Sequence, residues 1–283
     1  MDLSVITVTH NRLGLLLNKL ESLRAQTLAP ERFELVVLVN GGVDGTLGAL
    51  EAADLPFGLK VLYQQENLGS AKGRNLAARE AEGDILLISD DDCILSERVL
   101  EEHVKAHARH PDAVVIGPTR LAESYREGGV KEPFEGQPNL GGRALWIHAT
   151  GTNTSLPRAA FRAVGGYDET FSGYGGEDPA LALELRARGL SFYFAKDAVV
   201  YHLGRQLTGD FEARAFSAGR AQWRIYERHP SLGVGVMLGV HPALLGLKRL
   251  LFSDAVAPYI SHPRYRFERA YYRGAVEERR HAR

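Results

Sequence analysis

Cysteine is almost missing from this 283-residue chain. With Cys93 alone no internal disulfide can form, and such a composition suits a reducing cytosol. An excess of either charge is missing too. The net charge is −1, so no global field would draw the chain onto nucleic acid. Long apolar runs are also absent. The best candidate, Leu232 to Leu247, is interrupted by His241 and Pro242 and falls short of the roughly 18 residues that a membrane span requires. The first residues, MDLSVITVTHNR, show neither a basic leader nor a small-residue cleavage site, so they read as a strand and not as a signal peptide. No repeat or low-complexity segment occurs.

What is present is a chain that is 45% apolar, enough for one large α/β domain with a modest appendage. Short β-rich runs alternate with helical patterns through the first half. Strands are expected at Leu3–Thr9, Leu35–Asn40, Leu59–Gln64, Asp84–Ser89 and Ala113–Gly117, with helices at Leu13–Gln26, Thr46–Ala53, Ser70–Glu82 and Glu97–His110. This spacing implies βαβ units and a mainly parallel sheet, and runs such as VITV and LVVLV suit strands covered on both faces. Leu121–Arg143 is polar and aperiodic and reads as a long functional or disordered loop. Further on come helices at Arg158–Val164 and Pro179–Arg188, strands at Ser191–Phe194 and Val199–His202, and helical patterning beyond Asp210. A division into 1–209 and 210–283 follows.

Ligands of open α/β sheets bind beyond the carboxyl ends of the strands. Polar groups gather there after four strands: Thr9-His10-Asn11, Asn40-Gly41-Gly42 with Asp44, Asn67 through Asn75, and Asp90-Asp91-Asp92. Each alone could be turn chemistry. Three carboxylates directly after a buried Ile-Leu-Leu-Ile strand repel one another and call for a counterion, and hard divalent cations take carboxylate oxygens. Lys72 and Arg74 open a helix, where cationic side chains suit phosphate or lie on an ordinary exposed face. Cys93 reads as a packed thiol.

Val-Thr-His-Asn-Arg, Asn-Leu-Gly-Ser-Ala-Lys-Gly-Arg-Asn and Ile-Ser-Asp-Asp-Asp resemble the ordered motifs of the family 2 glycosyltransferases of GT-A fold. So do Gly151-Thr152-Asn153, Val164 through Glu169, and Gly173-Tyr174-Gly175-Gly176-Glu177-Asp178, the last similar to a β-1,4-galactosyltransferase motif. The resemblance runs from about residue 3 to 204. It implies a nucleoside-diphosphate-sugar donor, foremost a UDP-sugar, and Mn²⁺ or Mg²⁺. It places Thr9, Asn11, Asp44, Lys72, Arg74, Asp90 and Asp91 on the nucleotide, and Asp92 on the metal. His202 reads as a strand-end structural histidine or as a further metal ligand. Asn153, Tyr174, Gly175, Gly176 and Glu177 fall on the acceptor or sugar side. Tyr174 stands where the family has tryptophan, and it could stack on a sugar or belong to the core.

Asp178 precedes Pro179 and so could cap the following helix. The resemblance also makes it the general base of an inverting displacement onto a glycan or lipid-linked acceptor. From Lys248 onward nine basic residues stand against four acidic ones, in a segment that carries Tyr259, Tyr265, Phe267, Tyr271 and Tyr272. Next to an apolar segment, this suits peripheral contact with the inner face of an anionic membrane, a packed helical subdomain, or an oligomer contact. A sugar-nucleotide-forming nucleotidyltransferase is the competing enzyme, although Val8 through Arg12 offers no glycine-rich basic loop. A catalytically silent nucleotide-sugar binding module is the competing non-enzyme.

Overall fold

The computed structural model describes residues 1–122, 142–171, 173–203, 211–253, 256–257 and 260–281. The apolar runs of the first half become strands covered on both faces. β1 (Leu3–Thr9) and β2 (Phe33–Asn40) are buried at nearly every position and pair in parallel, Leu3 opposite Phe33 through Thr9 opposite Val39. β3 (Gly58–Gln64) joins β2, and β4 (Ile85–Ile88) joins β1, again in parallel. The crossovers are α1 (Leu13–Arg24), α2 (Thr46–Glu51) and α3 (Ser70–Glu80). These seven elements lie where the alternation of sequence patterns puts them, give or take the fraying of helix and strand ends.

The later elements are β5 (Cys93–Leu95), α4 (Val99–Arg109), β6 (Ala113–Ile116), β7 (Thr119–Leu121), β8 (Thr154–Pro157), α5 (Arg158–Ala163), α6 (Glu177–Ala187), β9 (Ser191–Phe194) and β10 (Val200–His202). The main sheet has the order β3-β2-β1-β4-β8-β6-β9, with β8 antiparallel to both neighbours. A small second sheet has the order β5-β10-β7. β5, β7 and β8 are new relative to the sequence reading. Most of the expected loop Leu121–Arg143 lies outside the described residues. Of its ends, Leu121 closes β7 and Arg143 bridges Tyr193.

The chain forms two compact units, Met1–Glu169 with Leu181–Gly204, and Thr170–Ala180 with Arg205–Arg283. The second is helical: α7 (Phe211–Arg228), α8 (Leu232–Met237), α9 (Pro242–Leu251) and α10 (Pro263–His281). Compared with a single cut near residue 210, it also takes in the glycine-rich segment around Gly175. α7 and α10 cross at two glycines. A Cβ on Gly219 would collide with the Tyr271 carbonyl, and one on Gly274 with that of Phe216. Arg220 Nε holds Glu278 Oε2 at 2.6 Å across the same interface.

A buried polar network ties α4 to β8 in the first unit. His103 Nδ1 lies 2.7 Å from Ser155 Oγ and its Nε2 2.9 Å from Asn153 Oδ1, while His107 Nε2 lies 2.8 Å from the same Ser155 Oγ. Burial holds His103 down to about 4 and His107 down to about 3. Both imidazoles therefore fold neutral, whereas in the unfolded chain they take up protons near pH 6.5. Their contribution to stability is complete above that pH and drains away as pH falls toward 4 and then 3. Acidification from pH 6.5 to 4 should cost about 3 kcal/mol for each histidine. Melting temperature followed across that range should fall steeply, and an unchanged Tm between pH 7 and 5 would contradict the neutral assignment.

Candidate active site

The short second sheet assembles the most polar corner of the first unit. β10 runs antiparallel to β5 with His202 opposite Cys93, and the Leu203 amide donates to the Asp92 carbonyl at 2.9 Å, extending the ladder by one residue. Two side chains far apart in sequence are thereby joined: Asp92 Oδ1 lies 3.2 Å from His202 Nε2. The approach is close but poorly aligned, and Asp92 Oδ1 is a buried oxygen with no well-formed hydrogen bond among the described residues. A buried acceptor left in this state is costly unless a cation or a donor serves it.

Asp92, Cys93 and His202 each bring one donor atom within 4.8 Å of the others. Carboxylate oxygen and imidazole nitrogen suit Mn²⁺, and the oxygen suits Mg²⁺. Cys93 does not belong to that set. A thiol is a soft ligand that suits neither Mn²⁺ nor Mg²⁺, and burial pushes that of Cys93 well above its ordinary value. At Asp92 burial works to raise the pKa, but His202 and Arg12 outweigh it and keep the carboxyl below its usual value.

Two cations that the sequence reading gave no role compensate the aspartate triplet. Arg12 Nη1 reaches Asp91 Oδ1 at 2.7 Å and Asp92 Oδ2 at 3.1 Å. Even so, burial leaves the Asp91 carboxyl above its ordinary value. Beneath them Lys19, fully buried, donates to Ser89 Oγ at 2.7 Å and to the Asp90 carbonyl at 3.1 Å. Its signal was available in the sequence: Leu16, Lys19, Leu20 and Leu23 share the spacing of one buried helix face, and a lysine in that stripe needs an anionic partner.

The residues expected to meet the nucleotide divide into two groups. Arg74 is buried and binds Asp90 Oδ1 at 2.7 Å, with its guanidinium 5.3 Å from the Tyr167 ring centroid. Gly151 makes room for it, since an added Cβ would run into the guanidinium. Asn75, one residue on, clamps the turn carrying Tyr167, accepting from the Tyr167 amide at 2.8 Å and donating to its carbonyl at 2.9 Å. Lys72 is exposed on the same helix, and Thr9 is buried at the end of β1.

Asn11 and Asp44 form the second group and shape the backbone. Asn11, in the left-handed region at φ 52°, accepts from the Val43 amide at 2.9 Å. Asp44 accepts from the Leu13 amide at 2.9 Å and from Thr46 Oγ1 at 2.6 Å, so one carboxylate serves the N-termini of α1 and α2. Asn40 joins β2 to the loop after β3, donating to Asn67 Oδ1 at 3.0 Å and accepting from the Leu68 amide at 2.9 Å.

Of the residues expected on the acceptor or sugar side, Asn153 sits inside the histidine network. It is buried and donates to the carbonyls of Pro118 at 3.2 Å and Ala198 at 2.8 Å. Its place in the fold is that of a brace between strands. The others belong to the second unit. Tyr174 is 58% exposed, which removes the core alternative, and Arg214 lies 5.4 Å from its ring centroid. The segment is laid along α7: the Tyr174 amide donates to Ser217 Oγ at 3.1 Å, and Arg224 Nη2 donates to Thr170 Oγ1 at 2.9 Å. Gly175 and Gly176 are both left-handed, with φ of 80° and 109°. A Cβ on Gly176 would lie 2.6 Å from Ala221 Cβ, so only glycine fits there.

The helix start differs from the sequence expectation. α6 begins at Glu177 and not at Pro179, with the Gly176 carbonyl accepting from the Ala180 amide at 3.0 Å. Asp178 therefore stands inside the first turn beside Glu177. The left-handed Gly176 allows the chain to enter the helix two residues early.

Comparison with known proteins identifies the family and the fold. The model of glycosyl transferase family 2 matches residues 4–164, and that described as the N-terminal domain of galactosyltransferase matches residues 139–205. A validoxylamine A glucosyltransferase of Streptomyces hygroscopicus subsp. limoneus is 30% identical over 262 residues, covering 81% of this chain and 57% of that protein. The chain spans less than two thirds of the length of the first such curated relatives. Among solved structures, the mannosyltransferase PcManGT from Pyrobaculum calidifontis, in complex with GDP-Man and Mn²⁺, has a TM-score of 0.68 at 19% identity, covering 98% of this chain and 86% of that one. S. aureus TarS 1–349 in complex with UDP-GlcNAc has a TM-score of 0.64 at 18% identity, covering 99% of this chain and 92% of that one. These structures share the GT-A fold, and the family match, over more than half of the residues, makes this chain a member of glycosyl transferase family 2.

Proposed function

We propose that the chain transfers a sugar from a nucleoside-diphosphate donor, foremost a UDP-sugar, to a hydroxyl group of a glycan or lipid-linked acceptor, with inversion and with Mn²⁺ or Mg²⁺. The observation that carries this reading is the meeting of Asp92 Oδ1 and His202 Nε2 at 3.2 Å beside a compensated cluster of carboxylates. Support comes from fold neighbours whose structures hold UDP-GlcNAc, or GDP-Man with Mn²⁺.

Asp92 and His202 are the side chains that would hold the cation. Bound there, a divalent cation offsets the charge gathering on the departing diphosphate. Arg74, oriented by Asp90 and Tyr167, presents fixed positive charge to the nucleotide. Arg12 keeps Asp91 and Asp92 from repelling each other before the donor arrives. Asp178 is the base. It takes the proton of the acceptor hydroxyl. The acceptor oxygen then bonds to the anomeric carbon as the bond from that carbon to the diphosphate oxygen breaks on the opposite face, which inverts the configuration.

Replacing Asp178 by Asn should lower turnover by about 10²–10⁴ while the donor Kd stays within about twofold. Near-full turnover with a competent acceptor would remove the residue from this role. Gly151→Ala should push Arg74 off Asp90 and weaken UDP binding about tenfold in calorimetry, and Tm should fall as well, because a buried ion pair is broken. Unaltered UDP affinity would show that Arg74 does not meet the donor.

A further inference from the structure

Two helices of the second unit turn their apolar side outward. In α9, Leu245 is 2% exposed, whereas Leu247, Leu250 and Leu251 are 61%, 72% and 56% exposed. Ala243 and Gly246 are exposed as well, so positions 243, 246, 247, 250 and 251 form one continuous helical stripe. α8 repeats the arrangement, with Val234 buried and Leu232, Val236 and Met237 exposed. An ordinary surface helix has the reverse polarity. Grouped exposed apolar side chains of this kind mark an interaction surface.

The charge around them selects the partner. Between Glu227 and Asp254 the chain has no carboxylate, and its cations there are Arg228, Lys248 and Arg249. The Tyr265 hydroxyl donates to the Leu251 carbonyl at 2.9 Å, and Phe252 packs against the Tyr265 and Tyr272 rings at centroid distances of 5.4 and 5.7 Å. These contacts fasten the start of α10 to the end of the stripe and bring the exposed Arg264 with it. An apolar face bordered by arginine suits anionic lipid. In a symmetric pair of this chain the same face would meet its own copy, charge against like charge. Leu232–Leu251 has the length and hydropathy of a membrane span. It is nevertheless built as two helices, Leu232–Met237 and Pro242–Leu251, each too short to cross a bilayer by itself.

From this we infer that α8, α9 and the start of α10 seat the protein on an anionic bilayer surface, with Leu247, Leu250 and Leu251 entering the headgroup boundary and Arg249 and Arg264 meeting lipid phosphate. The inference stands apart from the sugar-transfer reading and needs no donor or metal. Flotation of the full chain tests it, using vesicles of phosphatidylcholine with about one third phosphatidylglycerol against vesicles of phosphatidylcholine alone. The protein should float with the first and stay behind with the second. A triple variant, Leu247→Ser with Leu250→Ser and Leu251→Ser, should bind anionic vesicles at least about tenfold more weakly. All three side chains are already exposed, so its circular dichroism and Tm should match the parent. Arg249→Gln with Arg264→Gln should weaken binding about 30-fold. Failure to float with anionic vesicles, or equal flotation with both kinds, would overturn the inference. So would a dimer of the parent protein by light scattering that the triple variant abolishes.

Discussion

Three adjacent carboxylates at the end of a buried strand set the terms for the first unit. Asp90, Asp91 and Asp92 follow Ile88 where the main sheet ends, and like charges so close in a poorly solvated corner cannot all remain ionised without compensation. Each receives a different answer. Asp90 takes Arg74, Asp91 takes Arg12, and Asp92 shares Arg12 and faces His202. Lys19 adds a buried positive charge beneath the group. Much of the surrounding fold serves these partners: α1 carries Lys19, α3 carries Arg74, and the pairing of β5 with β10 delivers His202.

A second layer of polar contacts holds those partners in place. Asn75 fixes the turn that presents Tyr167 to Arg74, and Gly151 leaves the guanidinium its space. Asn40 fastens the loop leading into α3, while Asp44 anchors the starts of α1 and α2. Asn153, with His103 and Ser155, pins β8 and the residues before it to α4. Removing a member of this layer would loosen the carboxylate cluster without removing any of its charged partners.

The parallel half of the sheet was legible because the apolar runs of β1, β2 and β4 alternate with helical patterns at βαβ spacing. The order of motifs was legible for the same reason, since each follows a strand. The joining of Asp92 with His202 rests on three-residue strands, and no local pattern announces such a pairing. Arg12 was visible as a letter of a motif but not as a counterion, because its partners lie far along the chain. Lys19 could have been found from its place in an apolar stripe. Asn153 was placed toward the sugar by resemblance, and its hydrogen bonds to His103 and to the carbonyls of Pro118 and Ala198 join residues too far apart in sequence for any local pattern to show. The start of α6 lies at Glu177 and not at Pro179, after a Gly176 at positive φ, and this puts Asp178 in the first turn. In the second unit the basic and aromatic composition was plain, but which leucines face outward depends on how α9 lies against its neighbours, and that is a tertiary property.

The central claim is that Asp92 and His202 together hold the cation that accompanies a nucleoside diphosphate. Anomalous scattering at the manganese edge, from crystals soaked with Mn²⁺ and UDP, tests it most directly. The account predicts one strong peak within coordination distance of Asp92 Oδ1 and His202 Nε2 that vanishes in Asp92→Asn. A peak held by other side chains, or UDP bound in order with no manganese at this corner, would contradict it.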